Sequence, residues 1–125
     1  MRLIKVLMMT GLGLILTACS STQHDQAAEA AIQRADMIAQ LLPMDIEGYS
    51  LVRARAQDAI IELTLLEKNA KKAPGQLFSG LKRRYCEDND IRSMLDSGIS
   101  YTILVRDTRG RQILNNAITS PSCAS

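Results

Sequence analysis

The chain has 125 residues, with 15 Lys and Arg against 13 Asp and Glu, and a single histidine. A chain of this length builds one small domain with one core. The formal net charge of +2 does not suggest the concentrated positive surface that binding to nucleic acid or to an anionic membrane requires. With no Trp, one Phe and three Tyr, the core must be mainly aliphatic.

Residues 1–18 have the pattern of an export signal. Arg2 and Lys5 supply a positive end, an apolar run follows, and small residues precede the expected cut. The run is shorter than the roughly 20 apolar residues that a permanent membrane-spanning helix needs. The ending Leu16-Thr17-Ala18-Cys19 resembles the bacterial lipobox, which implies that Cys19 receives a diacylglycerol and, after cleavage, an acyl chain on its new amine. The alternative is a soluble secreted protein whose cleavage site lies beside a cysteine.

Removal of residues 1–18 changes the charge balance, because Arg2 and Lys5 leave with them. The mature chain then carries 13 basic and 13 acidic residues, so its formal net charge is zero. Residues 19–26 are polar and aperiodic, which predicts a flexible tether ahead of a domain formed by residues 27–125. In the sorting rule that comes with the lipobox resemblance, Ser20 in place of Asp directs a lipoprotein to the outer membrane.

Two cysteines remain once Cys19 is assigned to the lipid. Cys86 and Cys123 would lie in an oxidising compartment, which predicts that they form a disulfide. Two free thiols or a metal pair are the alternatives. A metal site is not expected, because the only histidine, His24, lies in the tether and no tetrahedral ligand set can be assembled.

A helix is predicted over residues 27–42, with Asp25 as its N-cap and Pro43 as its stop. Met37 and Leu41 lie beside its apolar stripe and widen it. Burial is the favoured explanation for both side chains, and an adaptable contact surface is the alternative. The stripe itself recurs at spacings of three and four: Ala28, Ala31, Ile32, Ala35, Ile38, Ala39 and Leu42.

The next segments alternate polar and apolar residues, as strands do. After a loop over Pro43–Gly48, the runs Tyr49–Ala56 and Ala59–Lys68 flank Gln57-Asp58, which predicts a tight hairpin. A loop containing Pro and Gly follows over Asn69–Gly75. One face of the second run is apolar: Ala59, Ile61, Leu63 and Leu65.

Two further helices are predicted after this loop. The first spans Gln76–Cys86, and the second, Ile91–Asp96, is capped by Asp90 and ends at Ser97-Gly98. One side of the first helix is apolar: Leu77, Phe78, Leu81 and Tyr85. The densest positive cluster lies around it: Lys68, Lys71, Lys72, Lys82, Arg83 and Arg84. Binding of lipid phosphates or nucleic acid is one interpretation, but the acidic residues that follow favour a solvated face with local ion pairs.

The chain ends in the clearest local signal. Alternation over Ile99–Val105, a turn at Asp107–Gly110 and a return over Arg111–Thr119 predict a second hairpin. The order α-β-β-α-α-β-β, with hairpins instead of βαβ crossovers, predicts an α+β fold. We expect an antiparallel sheet of four to five strands, helices packed on one face, and one disulfide.

Six segments carry a family resemblance: Ala39–Pro43, Glu47–Val52, Tyr85-Cys86, Met94–Tyr101, Arg106–Gly110 and Cys123. Together, and in this order, they resemble the AspS/YghG (GspS-beta) class of type II secretion pilotins. The resemblance covers nearly all of the mature domain and is weakest over Lys68–Gln76. It implies a small lipoprotein with an α/β fold, held at the periplasmic face of the outer membrane by the lipid on Cys19 and needing no other cofactor.

The same resemblance implies a protein partner. Pilotins of this class bind the C-terminal segment of the secretin subunit and bring it, through the lipoprotein sorting machinery, to the outer membrane, where the channel assembles. Met37, Leu41, Met44 and Met94 are the candidates for the binding surface, since they are adaptable apolar residues near the ends of elements. The partner segment could bind in either of two ways, as a helix in a groove or as a strand added to the edge of the sheet.

No catalytic residue is expected. A single histidine in the tether and the lack of a Gly-rich phosphate loop provide neither a Ser-His-Asp arrangement nor a P-loop. The alternative function is also one of protein binding: a conjugation or exclusion lipoprotein, or an envelope inhibitor built on the same scaffold.

Overall fold

The computed structural model describes residues 20–124, with side-chain surroundings given from His24 onward. The predicted signal peptide, residues 1–18, and the predicted lipidation site, Cys19, lie outside the described residues. Three α-helices occur in this range: α1 (Ser20–Ala39), α2 (Pro74–Glu87) and α3 (Asn89–Asp96). There are five strands in the same range: β1 (Met44–Ile46), β2 (Tyr49–Gln57), β3 (Ile60–Glu67), β4 (Ser100–Arg106) and β5 (Gln112–Ile118). A 3₁₀ helix, Pro121–Ala124, follows β5.

The strands lie side by side in chain order, β1 to β5, in one sheet. The predicted α+β fold with a single sheet is confirmed. Neighbouring strands are antiparallel except β3 and β4, which run parallel from the pair Ile60 and Ser100 to the pair Leu66 and Arg106. The expectation of hairpins alone is therefore wrong at this pair. The helices α2 and α3 return the chain to the end of the sheet at which β3 starts. Two parallel neighbouring strands require a long crossover connection of this kind.

The predicted loop Pro43–Gly48 contains the short edge strand β1. Met44 and Ile46 pair with Leu51 and Tyr49 of β2. Residue Gly48 has φ +88°, which closes the tight turn into β2. A run of three residues is too short for alternation to be read from sequence, so β1 was not predicted.

Helix α1 packs on β2 and β3 through a ridge of alanines. Ala27, Ala31 and Ala35 follow one another at intervals of four and are 7%, 0% and 2% exposed. Their small side chains allow the helix to lie close to the sheet. The predicted stripe is rotated relative to this ridge, and Ile32, placed in the core by the prediction, is 50% exposed.

The start of α1 also differs from the prediction. The helix begins at Ser20, so residues 20–26, predicted as a flexible tether, are helical, and Asp25 lies within the helix instead of capping it. Helical spacing is not visible in this segment because every residue from 20 to 26 is polar. The Ser20 backbone is thus part of α1, while its predicted sorting role stays a prediction.

One hydrophobic core joins the sheet and the helices. Strands β3 and β4 contribute Ile61, Leu65, Ile103 and Val105, each at most 1% exposed. Helix α2 adds Leu77 and Leu81 to this core, and Phe78 and Tyr85 pack against it. These four residues are the apolar side of α2 that the sequence predicted. Because all of these side chains belong to one cluster, the helices cover one face of the sheet.

A disulfide fixes the C-terminal end. Cys86 in α2 and Cys123 in the 3₁₀ helix are bonded, with Cα atoms 5.5 Å apart, which confirms the predicted pair. Asp88 caps α3 by accepting a hydrogen bond from the Ile91 amide at 2.9 Å. The predicted cap, Asp90, lies instead in the first turn of α3.

Candidate functional site

The four apolar candidates from the sequence do not form one surface. Met37 and Leu41 project from α1 and its following turn and are 60% and 64% exposed, so the expectation that they are buried is wrong. Met44 in β1 and Met94 in α3 are partly buried and pack against the core. Helix α3 packs mainly on α2, whereas α1 packs on β2 and β3. The structure therefore brings Met37 and Leu41 together and leaves Met94 in a different part of the domain.

Arg34 belongs to the same side of α1 as these two exposed residues. Arg34, Met37 and Leu41 stand at positions i, i+3 and i+7, which lie above one another on a helix. The Arg34 side chain is partly buried, and within residues 24–124 it makes no hydrogen bond and no ion pair. This face of α1 thus presents two exposed apolar side chains beside a cation without an acidic partner.

Two tyrosines meet between α2 and β4. Tyr85 of α2 and Tyr101 of β4 meet edge to face, with ring centroids 4.9 Å apart. Tyr101 is 2% exposed, and in the described part of the chain neither hydroxyl forms a hydrogen bond. Burial raises the pKa of Tyr85 to about 12, while the charge of Arg34 acts in the opposite direction on the pKa of both tyrosines. The positive charge of Arg34 therefore acts electrostatically on both rings.

The two helices lie over different strands of the sheet. Helix α1 packs on β2 and β3, while α2 packs on β5 and α3. We call the exposed side of α1 and its following turn the α1 face and define it by Arg34, Met37 and Leu41. Sequence reasoning selected Met37 and Leu41 but missed Arg34. The i, i+3, i+7 spacing was the available signal, but it does not say which side of the helix faces solvent.

An ion-pair hub lies on the turn between β1 and β2. The Glu47 carboxylate is 2.7 Å from Lys72 Nζ and 3.0 Å from Arg84 Nη2. The Tyr49 hydroxyl donates to the Lys72 carbonyl oxygen at 2.6 Å. The hub thus connects the β1–β2 turn with the loop before α2 and with α2 itself. Lys72 and Arg84, two members of the predicted basic cluster, therefore form ion pairs inside the domain.

Replacing Glu47 with Gln tests this hub through its pH dependence. The hydrogen bond from Lys72 is the largest cause that lowers the pKa of Glu47 below its ordinary value of 4.5. A carboxylate with a lowered pKa stabilises the folded state above pH 4.5, and this contribution is lost as the pH falls through the lowered pKa. Urea unfolding should therefore show Glu47→Gln as less stable than wild type at pH 7, with the two curves converging in acid.

The control for this measurement is Asp36→Asn, which changes an exposed carboxylate of α1 that forms no ion pair within residues 24–124. This variant should follow the wild-type pH profile. A Glu47→Gln difference that stays constant from pH 7 to pH 3 would show that the side chain acts through packing and not through its charge.

Two other surfaces are open. On the face of the sheet away from the helices, Val52, Leu66 and Pro43 line a shallow concavity of ≈ 750 Å³ rimmed by Glu67 and Lys68. Strand β5 is a terminal strand of the sheet, so its outer edge pairs with no described strand.

Among residues 24–124, no group of His, Cys, Asp and Glu could hold a metal ion. No helix in the described range is long and apolar enough to cross a membrane.

The family model described as "Type II secretion system (T2SS) pilotin, S protein" matches residues 23–123 of this chain. The chain belongs to this pilotin family. The matched segment covers the domain from α1 to the C-terminal 3₁₀ helix, including the hub and the α1 face. The resemblance drawn from the sequence segments is thereby confirmed.

Relatives and solved structures agree with this pilotin assignment. Pilotin AspS 2 of Escherichia coli O78:H11 is 31% identical over 107 residues, covering 83% of this chain and 76% of the relative. Lipoprotein YghG of Escherichia coli K12 is 30% identical over the same share of each chain. The pilotin EpsS from the Vibrio vulnificus type 2 secretion system has a TM-score of 0.77 at 28% identity, covering 83% of this chain and 97% of that one.

A fourth similarity is to a pilotin bound to its partner. The structure of an ETEC pilotin–secretin complex, AspS with GspD, contains a chain with a TM-score of 0.55 at 20% identity, covering 89% of this chain and 100% of that one. At this identity the comparison supports the shared fold. The complex in that structure is a property of the ETEC protein.

Proposed function

We propose that this chain is an envelope lipoprotein that binds the C-terminal segment of a type II secretin subunit and carries it to the outer membrane, where the channel assembles. The observation that carries the proposal is the match of the pilotin family model over residues 23–123. The name of the relative YghG, a lipoprotein, and the ETEC complex of a pilotin with a secretin support it. Binding and transport of this kind require no catalytic group and no cofactor.

The proposal divides the work between two parts of the chain. The diacylglycerol and acyl chain on Cys19 would anchor the protein, with Ser20 allowing the sorting machinery to release it to the outer membrane. The domain from α1 onward would hold the secretin segment. Two lipid chains give stable membrane attachment, whereas one gives only marginal binding.

Replacing Cys19 with Ser separates these two parts. The variant should bind the secretin C-terminal segment like wild type in a pull-down with the purified mature domain, since Cys19 precedes the domain. In cells, however, the secretin should stay in the inner-membrane fraction, because the protein that carries it lacks the lipid. Membrane fractionation with detection of heat-resistant secretin multimers measures the outcome.

The matched control is Ser20→Asp, which keeps the lipid and changes only the predicted sorting residue. It should move both the protein and the secretin to the inner membrane. Outer-membrane multimers formed with Cys19→Ser would contradict the lipid-dependent delivery, and a wild-type domain that fails to bind the secretin segment at tens of micromolar would contradict the partner.

A further inference from the structure

A concavity lies over the disulfide at the end of α2. It has a volume of ≈ 320 Å³, and residues of α2, α3 and the C-terminal 3₁₀ helix line it. Cys86 and Cys123 are both part of this lining and both are partly buried, so solvent reaches the two residues in the folded domain. We call this region the disulfide concavity and define it by the two cysteines with Lys82, Arg83 and Arg92.

The lining of the disulfide concavity is mainly positive. Lys82 and Arg83 stand four and three residues before Cys86 in α2, so they are its neighbours on the helix surface. Arg92 of α3 adds a third cation, held 3.2 Å from a carboxylate of its own helix. Among the described residues that line the concavity, Glu87 is the only acidic one. An anion that enters therefore meets a surplus of positive charge.

The chemistry open to a disulfide in such a place is thiol exchange. The attacking species is a thiolate, which forms a new bond to one sulfur while the other sulfur leaves as a thiolate. Cations beside a sulfur favour the thiolate form over the thiol. They also raise the local concentration of molecules that carry further negative charge. The disulfide concavity thus favours a small thiol that is itself an anion.

We propose that the disulfide concavity is a thiol-exchange site at which small anionic thiols attack Cys86 Sγ in the folded domain. The attacking thiolate bonds to Cys86 Sγ, the bond to Cys123 breaks with its electron pair on Cys123 Sγ, and water protonates that sulfur. A second thiolate releases the first from Cys86. Two thiols are thereby oxidised to one disulfide for each protein disulfide that is reduced.

Two observations select Cys86 as the attacked sulfur. Lys82 and Arg83 belong to the same helix surface as Cys86, which places their charge beside that residue. Cys123, by contrast, packs against the hydrophobic core. This inference goes beyond the proposed function, because it concerns a covalent modification of the domain and needs no secretin.

The test compares three thiols of similar size: mercaptoethanesulfonate, mercaptoethanol and cysteamine, which carry a negative, a neutral and a positive group. Each rate of reduction of the folded mature domain is divided by the rate of the same thiol with hydroxyethyl disulfide, which corrects for intrinsic reactivity. At low salt the corrected rate should be about fivefold to tenfold higher for mercaptoethanesulfonate than for cysteamine. Because salt screens charges, about 0.5 M salt should remove most of this preference.

Charge variants show whether the concavity causes the preference. Lys82→Gln combined with Arg83→Gln should abolish most of it, and the corresponding double change to Glu should invert it. Arg109→Glu, a charge reversal in the exposed turn between β4 and β5, is the matched control and should keep the wild-type preference. Early trapping with iodoacetamide, followed by mass spectrometry, should find the added thiol on Cys86 and the carbamidomethyl group on Cys123.

Gly48→Ala separates exchange in the folded domain from exchange after unfolding. A Cβ atom at this position would lie 2.5 Å from the Ala70 Cα, so the change destabilises the fold in a part of the chain distant from Cys86. If only unfolded molecules reacted, reduction would accelerate by the factor by which this variant raises the unfolding equilibrium constant. We expect an unchanged rate.

Three results would each overturn this inference. They are a reduction rate that rises with destabilisation in Gly48→Ala, corrected rates that are equal for the three thiols, and an adduct on Cys123 in place of Cys86. Each of them leaves the proposed function standing, because the secretin pull-down is a separate measurement.

Discussion

Replacing Cys86 and Cys123 together with Ser is expected to lower the free energy of unfolding by about 4 kcal/mol. The bond joins residues 37 positions apart, and in the chain-entropy model a loop of this length restricts the unfolded ensemble by that amount. For a domain whose total stability is about 5–15 kcal/mol, this is a large fraction. Urea unfolding at pH 7 of the purified mature domain measures the difference.

The double variant has an internal control. Wild-type protein treated with a reductant should approach the stability of the double variant, while the double variant itself should not respond to the reductant. A loss below about 1 kcal/mol in the double variant would show that the unfolded chain is already restricted in this region, so the entropic argument would not apply.

Replacing Gly48 with Ala is expected to lower the free energy of unfolding by about 3 kcal/mol, through two separate causes. The residue has φ +88°, a conformation that side chains disfavour. A Cβ atom would also lie 2.5 Å from the Ala70 Cα and 2.8 Å from the Asn69 carbonyl oxygen, so backbone has to move. Movement of this loop weakens the bonds that the Lys68 and Asn69 amides donate to the Gly48 carbonyl oxygen at 3.1 Å.

Two other glycines separate these causes. Gly98 has φ +105° but open space around it, so Gly98→Ala measures the backbone conformation alone and should cost about 1 kcal/mol. Gly75, in the first turn of α2, has neither a positive φ nor a close neighbour, so Gly75→Ala should be neutral or slightly stabilising. If Gly48→Ala is no more destabilising than Gly98→Ala, the close approach of the loop has no energetic weight.

This loop is the region in which the family resemblance is weakest, and the structure gives it a role. The stretch after β3 is fixed by Gly48 from one side and by Glu47 through Lys72 from the other. None of these contacts could be predicted, because they join residues at least 20 positions apart through backbone atoms and long side chains. The basic character of the loop suggested an external ligand or a solvated face, and for Lys72 an internal ion pair is found.

Most elements could be predicted because each is encoded by a local pattern. The β2–β3 and β4–β5 hairpins show alternation with turn residues between the strands, and α2 shows a clear apolar side. The parallel pairing of β3 with β4 and the edge strand β1 could not be predicted in this way. The parallel pairing depends on where α2 and α3 end relative to β3, and β1, with three residues, is too short to show alternation.

The candidate surface was predicted only in part. Met37 and Leu41 were selected, but their expected burial was wrong, since an apolar stripe broader than the contact surface does not reveal which of its edges faces the sheet. Alanines, and not the larger Ile32, make the contact because small side chains let α1 approach β2 and β3 closely. That rotation of α1 is also what exposes Met37 and Leu41 beside Arg34.

The sequence by itself determined the class of protein and one covalent feature: the resemblance to pilotins and the Cys86–Cys123 pair are both confirmed. The export signal over residues 1–18 and the neutral charge that follows from its removal stay predictions. These depend on residue types and short spacings, which tertiary packing does not change. Only the tertiary structure decided that Met37 and Leu41 are exposed on the same side of α1 as Arg34 and that Tyr85 meets Tyr101. Burial and the presence or absence of a partner are properties of residues distant in the chain, and no local pattern records them.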